Sequence, residues 1–501
     1  MKDILFKINK KDNVAVLLKD IKSGSRISFA GNIIKIRDDI PAGHKVALRD
    51  IKKDEKVIKY GYPIGRALRD IRTGAWVHTH NLVTALKERE DYSFNFYAEE
   101  MEMDKEIPAF KGFRRKDGQI GIRNEIWLIP TVGCINKAVE KMALMAREKY
   151  REMVESGRIG GFVAFPHPYG CSQLGDDLSN TRKILKGLVK HPNAAAVLVA
   201  GLGCENNVLE EFREFLGEFD GERVRFLKLQ EVEDDIDAGL QELGHLVDYA
   251  LNCREEPVPV SELKIGLKCG GSDGFSGITA NPLLGELSNR LVKAGAAVIL
   301  TEVPEMFGAE QLLMNRAENE GVFTELVELF NGFKDYFLSH QQAVYENPSP
   351  GNKEGGITTL EEKSLGCIQK GGNVIVRGVN RYGEQIQGKG LQLLESPGND
   401  LVSATALAAA GAQLILFSTG RGTPFGAPVP TVKISTNTAL YERKREWIDF
   451  DAGQLLEGKS MEELTDELFD FVIKLASREI RSRNEENGYR EIAIFKKGVT
   501  L

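Results

Sequence analysis

Residues 267–281, LKCGGSDGFSGITAN, decide how the chain is read. An alternating apolar approach, Leu263, Ile265 and Leu267, runs into Cys269. A loop of glycines and hydroxyls follows, and Asn281-Pro282 leads into a helix-like run. Strand, bare loop and helix in that order form the layout of a ligand site in an α/β protein. Glycines let backbone N–H groups come close to a ligand. Ser272 and Asp273 offer hydrogen bonds, and Cys269 offers a soft metal ligand or a nucleophile.

Working outward, the same layout recurs. Strand-like runs at 126–131, 162–165, 194–200, 224–229, 296–300 and 413–417 alternate with helix-like runs, the clearest at 136–151, 177–190, 208–216, 234–251, 310–331 and 461–477. Further strands are expected at 432–435 and 492–495. Such alternation implies parallel sheets with helices on both faces, an α/β fold. The pattern begins near residue 111 and divides near 258, giving a middle domain (111–258) and a C-terminal domain (259–501). Residues 1–86 differ. Short apolar runs at 14–18, 26–29, 33–36, 44–48 and 57–60 are separated by turn signals, which indicates a small barrel-like or clip-like β module. Between them, 87–110 is acidic and aperiodic and reads as a linker.

The 501 residues include 51 glycines, 42% hydrophobic and 28% charged residues, with a net charge of −7. This is an ordinary globular composition, and its sign argues against a nucleic-acid partner. No apolar run reaches the ~18 residues of a membrane span, and the N-terminus lacks a signal-peptide core. The six cysteines show no close disulfide-like pairing, so a reducing cytoplasm is expected.

Four cysteines stand at one structural place. Cys134, Cys171, Cys204 and Cys269 each follow an expected strand and precede a helix, as do Glu302 and the Gly420-Arg421 loop. In a parallel sheet those positions share the ligand-binding edge, so the thiols are expected to converge. Cys253 and Cys367 lack the pattern and read as buried filler. Thiolates select iron, zinc or an iron–sulfur cluster. No compact ferredoxin-like cysteine run is present, which favours a single iron or small iron site over an electron-transfer cluster. His78 and His80, in GAWVHTHN at 74–81, would project to one face of an extended chain. That suits proton transfer or metal binding; the plain alternative is two surface histidines on an edge strand. The polar loop at 347–359, NPSPGNKEGGITT, suits a hydroxyl-rich ligand or a surface excursion. Two further motifs read more simply. GQLLEGKS at 453–460 matches a phosphate loop, but its bulky residues and the Ser460/Glu463 spacing indicate a helix cap. GGSDG at 270–274 matches a nucleophile elbow, without the immediate helix or the histidine context that one needs.

With WVHTHN (76–81), GFRR (112–115), GIRN (121–124), HPYGC (167–171), CGGSD (269–273), TEVPE (301–305) and the 347–356 loop in view, the chain resembles the altronate/galactarate dehydratase family of sugar-acid hydro-lyases over essentially its whole length. The resemblance implies an SAF or β-clip N-terminal domain, a middle domain used for dimerisation and a Rossmann-like variant at the C-terminus. It implies dependence on iron (Fe²⁺, with Mn²⁺ as a substitute), a reducing requirement and homo-oligomers. The expected chemistry is dehydration of a sugar acid such as D-altronate: loss of the C2 proton beside the carboxylate, then of the C3 hydroxyl, giving a 2-keto-3-deoxy acid. A metal Lewis acid is the natural stabiliser of the enediolate. The roles expected on this basis place the metal on some of Cys134, Cys171, Cys204 and Cys269, with Glu302. His78 or His80 is the acid/base and His167 the reserve. Arg123, Lys353 and Arg421 would hold the carboxylate, and Ser272, Asp273, Asn352 and Thr358 the hydroxyls. Galactarate and sulfolactate are the alternative substrates; a non-catalytic sugar-acid or metal-binding protein is the alternative of another class.

Overall fold

The computed structural model describes residues 4–87, 91–98 and 100–501. The N-terminal part is all β: three small antiparallel sheets built from short strands between Leu5 and Val83. The expected runs appear as Val14–Leu17, Arg26–Phe29, Asn32–Lys35, Lys45–Ala47 and Lys56–Lys59. A module this small buries little surface by itself. Part of its interior is its own, around Leu5, Leu17, Ile27 and Val46. The rest, including Val14, Ala47, Val57, Ile64 and Val77, merges with the apolar core of the C-terminal domain. Clip and C-terminal domain are therefore packed as one unit.

The middle domain holds four parallel strands in the spatial order Phe162–Ala164, Glu125–Pro130, Ala194–Gly201, Val224–Lys228. The two central strands are buried at every residue, as strands covered on both faces must be. Helices Asn136–Lys149 and Asp235–Leu251 cover one face. Helices Gly175–Val189 and Leu209–Leu216 cover the other, where they also meet the C-terminal domain. An antiparallel sheet of Ile120–Gly121, Ala109–Arg114 and Glu255–Pro259 ties the two ends of this domain together.

The C-terminal domain is a seven-stranded, all-parallel sheet in the order Val376–Asn380, Gly390–Leu394, Ala297–Leu300, Lys264–Cys269, Leu414–Thr419, Thr431–Ser435, Phe450–Asp451. From Lys264–Cys269 the chain first builds to one side and later resumes at Leu414–Thr419 on the other. The crevice between those two strand ends is the topological switch point, where open α/β sheets bind ligands.

Several expectations change. Residues 492–495 do not form a strand: no neighbouring strand is available, and Ile492 and Ile494 are buried against the core between the middle and C-terminal domains. The tail is held instead by backbone N–H groups of Lys497 and Gly498 donating to Asp177 and by a single bridge from Thr500 to Gln173. The run 310–331 is two helices, Glu310–Met314 and Glu320–Ser339, the second capped by Asn319 accepting from Val322 N. The 347–359 loop contains a short helix, Pro350–Glu354, opened by its proline. Within 453–460, Gln454–Glu457 is helical and Ser460 with Glu463 forms a capping box, so no bare phosphate loop exists there. The linker expected at 87–110 lies partly outside the described residues. Its described part straps the C-terminal domain: Tyr92 donates to Glu310 and Phe94 packs on Phe323. No described helix is long and apolar enough to cross a membrane.

Candidate functional site

The crevice is built by three loops. After Lys264–Cys269 the backbone turns through Gly271, whose carbonyl accepts from the N–H groups of both Gly420 and Arg421 at 3.0 Å. Asp273 holds the turn. Its Oδ1 accepts from Ser276 and Phe275, and its Oδ2 from Thr436 and Asn437. Gly420 passes so close to that carboxylate that a Cβ would lie 2.2 Å from its Cγ, so only glycine fits. Asp273 is therefore engaged in shaping the loop, and burial pushes its carboxyl up. The neighbouring Ser272 is buried with no partner for its hydroxyl. It helps line a cavity of about 10 Å³ shared with Asn281, Lys363 and Cys367. The third loop is 349–356. Asn352 joins it to the first by donating to the carbonyl of Ser272 at 2.9 Å.

The β-clip closes over these loops. His44 Nε2 donates to the carbonyl of Glu354 at 3.0 Å, and its Nδ1 accepts from Trp76 at 3.2 Å. That pair fixes a neutral tautomer, and burial lowers the ring's pKa to about 4. His78 Nε2 donates to the carbonyl of Lys353 at 2.9 Å, while Nδ1 meets the Thr79 hydroxyl at 3.0 Å. Beneath them Glu362 accepts from Lys45 at 2.9 Å and Lys59 at 2.8 Å, and from the N–H and hydroxyl of Thr358. All four residues are buried. The lysines hold the Glu362 carboxyl far below the ordinary range despite its burial. Two cations on one carboxylate leave surplus positive charge, and burial lowers Lys45 to about 8.

The HTH segment is not extended as its alternation suggested. The strand ends at Val77, and residues 78–81 form a turn in which Asn81 Oδ1 accepts from His78 N. His78 and His80 therefore do not form a same-face pair. His78 is turned inward and both its nitrogens are engaged. His80 is exposed, packs its edge on Trp76 at 5.5 Å, and makes no hydrogen bond through its ring nitrogens among the described residues. On the same rim, half-buried Lys353 has no hydrogen bond or ion pair for its ammonium among the described residues. Exposed Arg421 contacts the Gly351 carbonyl and Glu354 at 3.3 and 3.1 Å. The rim thus offers an ammonium with no partner among the described residues and an exposed guanidinium, an anion clamp, while the His80 ring lies by Arg69 and Asp38 of the clip.

Under the loops lies a buried thiol pair. Cys269 and Cys367 have their sulfurs 3.3 Å apart, each 3.7 Å from Glu305 Oε2. Lys370 donates to Cys269 Sγ at 3.0 Å. The thiols are hydrogen-bonded to each other, which pushes Cys269 up and pulls Cys367 down. Among the described residues this is the one group of three His, Cys, Asp or Glu ligand atoms lying within 4.8 Å of one another. A tetrahedral ion with thiolates at ~2.3 Å would set its sulfurs roughly 3.8 Å apart. The triad is within half an ångström of that spacing, and a thiolate–carboxylate donor set suits Fe²⁺ or Zn²⁺, so a single iron fits here. Glu302, the expected oxygen ligand, is instead bonded to Lys268 at 2.6 Å and to the N–H of Cys269 at 3.0 Å. Glu305, three residues on in the same TEVPE segment, faces the thiols.

The expected convergence of four cysteines is corrected by the two-sheet architecture. Cys269 belongs to the seven-stranded sheet; Cys134, Cys171 and Cys204 are exposed on the middle sheet. Cys367, read as filler, is the partner of Cys269. Arg123 is not at the crevice: it is buried and bidentate to Glu485 at 2.6 and 3.0 Å. His167 is buried in the middle domain, donating to Pro130 O and accepting from Tyr169 N. Of the remaining expected residues, Ser272, Asp273, Asn352, Lys353, Thr358 and Arg421 do gather at the crevice, with Thr358 and Asn352 spending their polar atoms on the protein. Sequence reading missed His44, Lys45, Lys59, Glu305, Glu362 and Cys367. Glu305 lay in a motif already singled out and His44, Lys45 and Lys59 in expected strands, but apart from Glu305 these residues meet partners far away in sequence.

Comparison with known proteins adds three matches to family models. Residues 3–85 match the altronate/galactarate dehydratase SAF domain. Residues 112–251 match the second domain of D-galactarate dehydratase/altronate hydrolase. Residues 260–500 match the C-terminal domain of D-galactarate/altronate dehydratase. The chain is 52% identical to altronate dehydratase of Bacillus subtilis (strain 168) over 499 residues, 99% of both chains. It is 50% identical to altronate dehydratase of Escherichia coli (strain K12), again over 99% of each. Galactarate dehydratase (L-threo-forming) of the latter organism is 32% identical over 98% of this chain and 96% of its own length.

Proposed function

Because the chain belongs to the altronate/galactarate dehydratase family and is a sugar-acid hydro-lyase, we propose that it converts D-altronate to 2-dehydro-3-deoxy-D-gluconate and water. The observation that carries this choice is full-length identity of about half to two altronate dehydratases, against 32% to a galactarate dehydratase.

The rim supplies the parts that the reaction needs. Lys353 and Arg421 bind the C1 carboxylate, which places C2 beside His80. A free imidazole takes the C2 proton; the C–H electron pair becomes an enediolate on the carboxylate. The C3–O bond then breaks, and the protonated imidazole returns its proton to the departing oxygen as water forms. The remaining enol tautomerises to the 2-keto acid. Lys353 and Arg421 face the oxygens on which negative charge grows, so their attraction strengthens along the reaction. Ser272, its hydroxyl unpartnered on a cavity of about 10 Å³, has room beside it for one water, which would carry its hydrogen bond toward the crevice. Cys269, Cys367 and Glu305 would hold Fe²⁺, or Mn²⁺ in its place, and a divalent ion there supplies a Lewis acid for the developing charge.

The protein works as a cytoplasmic homodimer in this reading. All six cysteines are free thiols, which suits a reducing compartment. The middle domain presents Leu144 and Met145 to solvent from helix Asn136–Lys149, 67% and 38% exposed, and is assigned to the dimer contact.

The test is turnover by protein refilled with Fe²⁺ under reductant, with D-altronate, galactarate and sulfolactate compared side by side. A 2-keto acid from D-altronate at the highest kcat/KM supports the reading. Preference for another acid overturns the substrate, and tight binding without turnover overturns the catalytic assignment. Cys367→Ser should lower bound iron in the same preparation.

A further inference from the structure

Three thiols outside the crevice stand on one edge of the middle sheet. Cys134, Cys171 and Cys204 follow the strands Glu125–Pro130, Phe162–Ala164 and Ala194–Gly201, with the first of these strands in the centre. Neighbouring strands lie only ~4.8 Å apart, so the three loops emerge side by side. They are also bonded to one another. Gly133 N donates to Tyr169 O at 2.9 Å, Asn207 N to Gly170 O at 2.9 Å, and Ser172 N to Asn206 Oδ1 at 2.6 Å. Gly170 lies so near the first loop that a Cβ would come 1.9 Å from the Thr131 carbonyl.

Cysteine is usually buried, yet all three of these are exposed, and all three are free. Among the described residues their thiols make only weak polar contacts: Cys171 with its neighbour Ser172 at 3.9 Å, and Cys204 with the Gln230 amide at 3.7 Å. They do not form a group with all ligand atoms within 4.8 Å, which is too open for one tetrahedral ion, whose sulfurs sit roughly 3.8 Å apart. A cluster spreads its thiolates more widely, one on each iron. Among the described residues the nearby candidates for a fourth ligand are already engaged. Glu205 is committed to Thr131, Leu202 N and Gly203 N, and both nitrogens of His167 are spent. Helix Asn136–Lys149 begins directly after the Cys134 turn, and its positive end favours a group carrying several thiolate charges.

We infer that Cys134, Cys171 and Cys204 bind a [4Fe–4S] cluster through three thiolates, leaving one iron without a protein ligand. Each thiol gives up its proton as its sulfur bonds to iron. The open iron is a Lewis acid able to take a hydroxyl or carboxylate oxygen. The site is separate from the buried Cys269–Cys367–Glu305 triad and does not depend on the choice of sugar acid.

The full-length protein is reconstituted anaerobically with equal amounts of Fe²⁺ and Fe³⁺ and with sulfide, then desalted. The expected result is broad visible absorption, an EPR signal on one-electron reduction, and about four cluster irons and four acid-labile sulfides per chain. Cys134→Ser, Cys171→Ser and Cys204→Ser should each lose most of the absorption; because all three are exposed, these variants should keep the wild-type unfolding midpoint. Cys253→Ser and Cys269→Ser should retain it. Absence of the chromophore, iron without labile sulfide, or a chromophore that survives in the triple serine variant overturns the proposal.

Discussion

His78 Nε2 donates to the backbone carbonyl of Lys353 at 2.9 Å across 275 residues of sequence. The bond joins the β-clip to the loop that carries the Lys353 ammonium, which has no partner among the described residues, and it commits the His78 ring to holding that loop. His80, two residues on, has a ring with no hydrogen bond among the described residues. The two histidines should therefore fail differently. His80→Ala is expected to lower kcat by roughly 10²–10⁴-fold, the usual range for a lost acid/base. His78→Ala should act mainly on KM. Steady-state kinetics on D-altronate checks this, and equal losses of kcat in both variants would return the assignment to an undivided pair.

Lys353 carries the second prediction. A charged hydrogen bond to a carboxylate contributes about 1.5–3 kcal/mol, so Lys353→Met should lower kcat/KM by roughly 10- to 150-fold. Since its ammonium has no partner among the described residues, the unfolding midpoint should not move. A large loss of stability would mean that the side chain serves the fold instead.

Glu362 should behave in the opposite way. It neutralises Lys45 and Lys59 inside the seam between clip and C-terminal domain, with all three side chains at most 2% exposed. Removing one member of a buried ionic set leaves uncompensated charge and costs about 3–5 kcal/mol. Glu362→Ala should therefore lower the urea midpoint strongly and make the clip susceptible to proteolysis. Asp39→Asn, which breaks the exposed pair with Lys22, should change neither.

These contrasts show what the sequence made legible. Periodicity located all four parallel strands of the middle sheet and four of the seven in the C-terminal sheet because strands such as AAAVLVAG are buried on both faces and read as continuous apolar runs; it passed over Val376–Asn380, Gly390–Leu394 and Phe450–Asp451. The strand ends carrying Cys134, Cys171, Cys204 and Cys269 were visible for the same reason. Which sheet each joined was not visible, since pairing order is set by crossovers and not by local pattern. Lys45, Lys59 and Glu362 were opaque because lone charges in strands read as solvent-facing, and their partners lie about 300 residues apart. Cys367 sits in a helix, Leu360–Cys367, that is buried on all sides, so no amphipathic face singled it out. Tyr382, Ile492 and Ile494 pack between domains, which gave the tail a strand-like alternation with no strand beside it.

The pH dependence of that last seam can be worked out from Glu485. Its carboxylate is clamped by Arg123 and lies 3.7 Å from Arg490, which is itself bidentate to Glu125 of the middle sheet. Although burial opposes ionisation, Arg123 holds the Glu485 pKa down to about 2, from an ordinary 4.5. A carboxyl depressed in the folded state binds fewer protons there than when unfolded. Its stabilisation is therefore fully present above pH 4.5 and is lost as pH falls toward 2. The shift corresponds to about 3 kcal/mol. Urea midpoints measured from pH 5 downward should fall more steeply for the native chain than for Glu485→Gln, which has no proton to take up at this position. Arg123→Met should lower stability at pH 7 and also flatten the slope, because the charge that depresses Glu485 is gone. Parallel slopes in all three proteins would place the acid sensitivity on other carboxylates, Glu362 first among them.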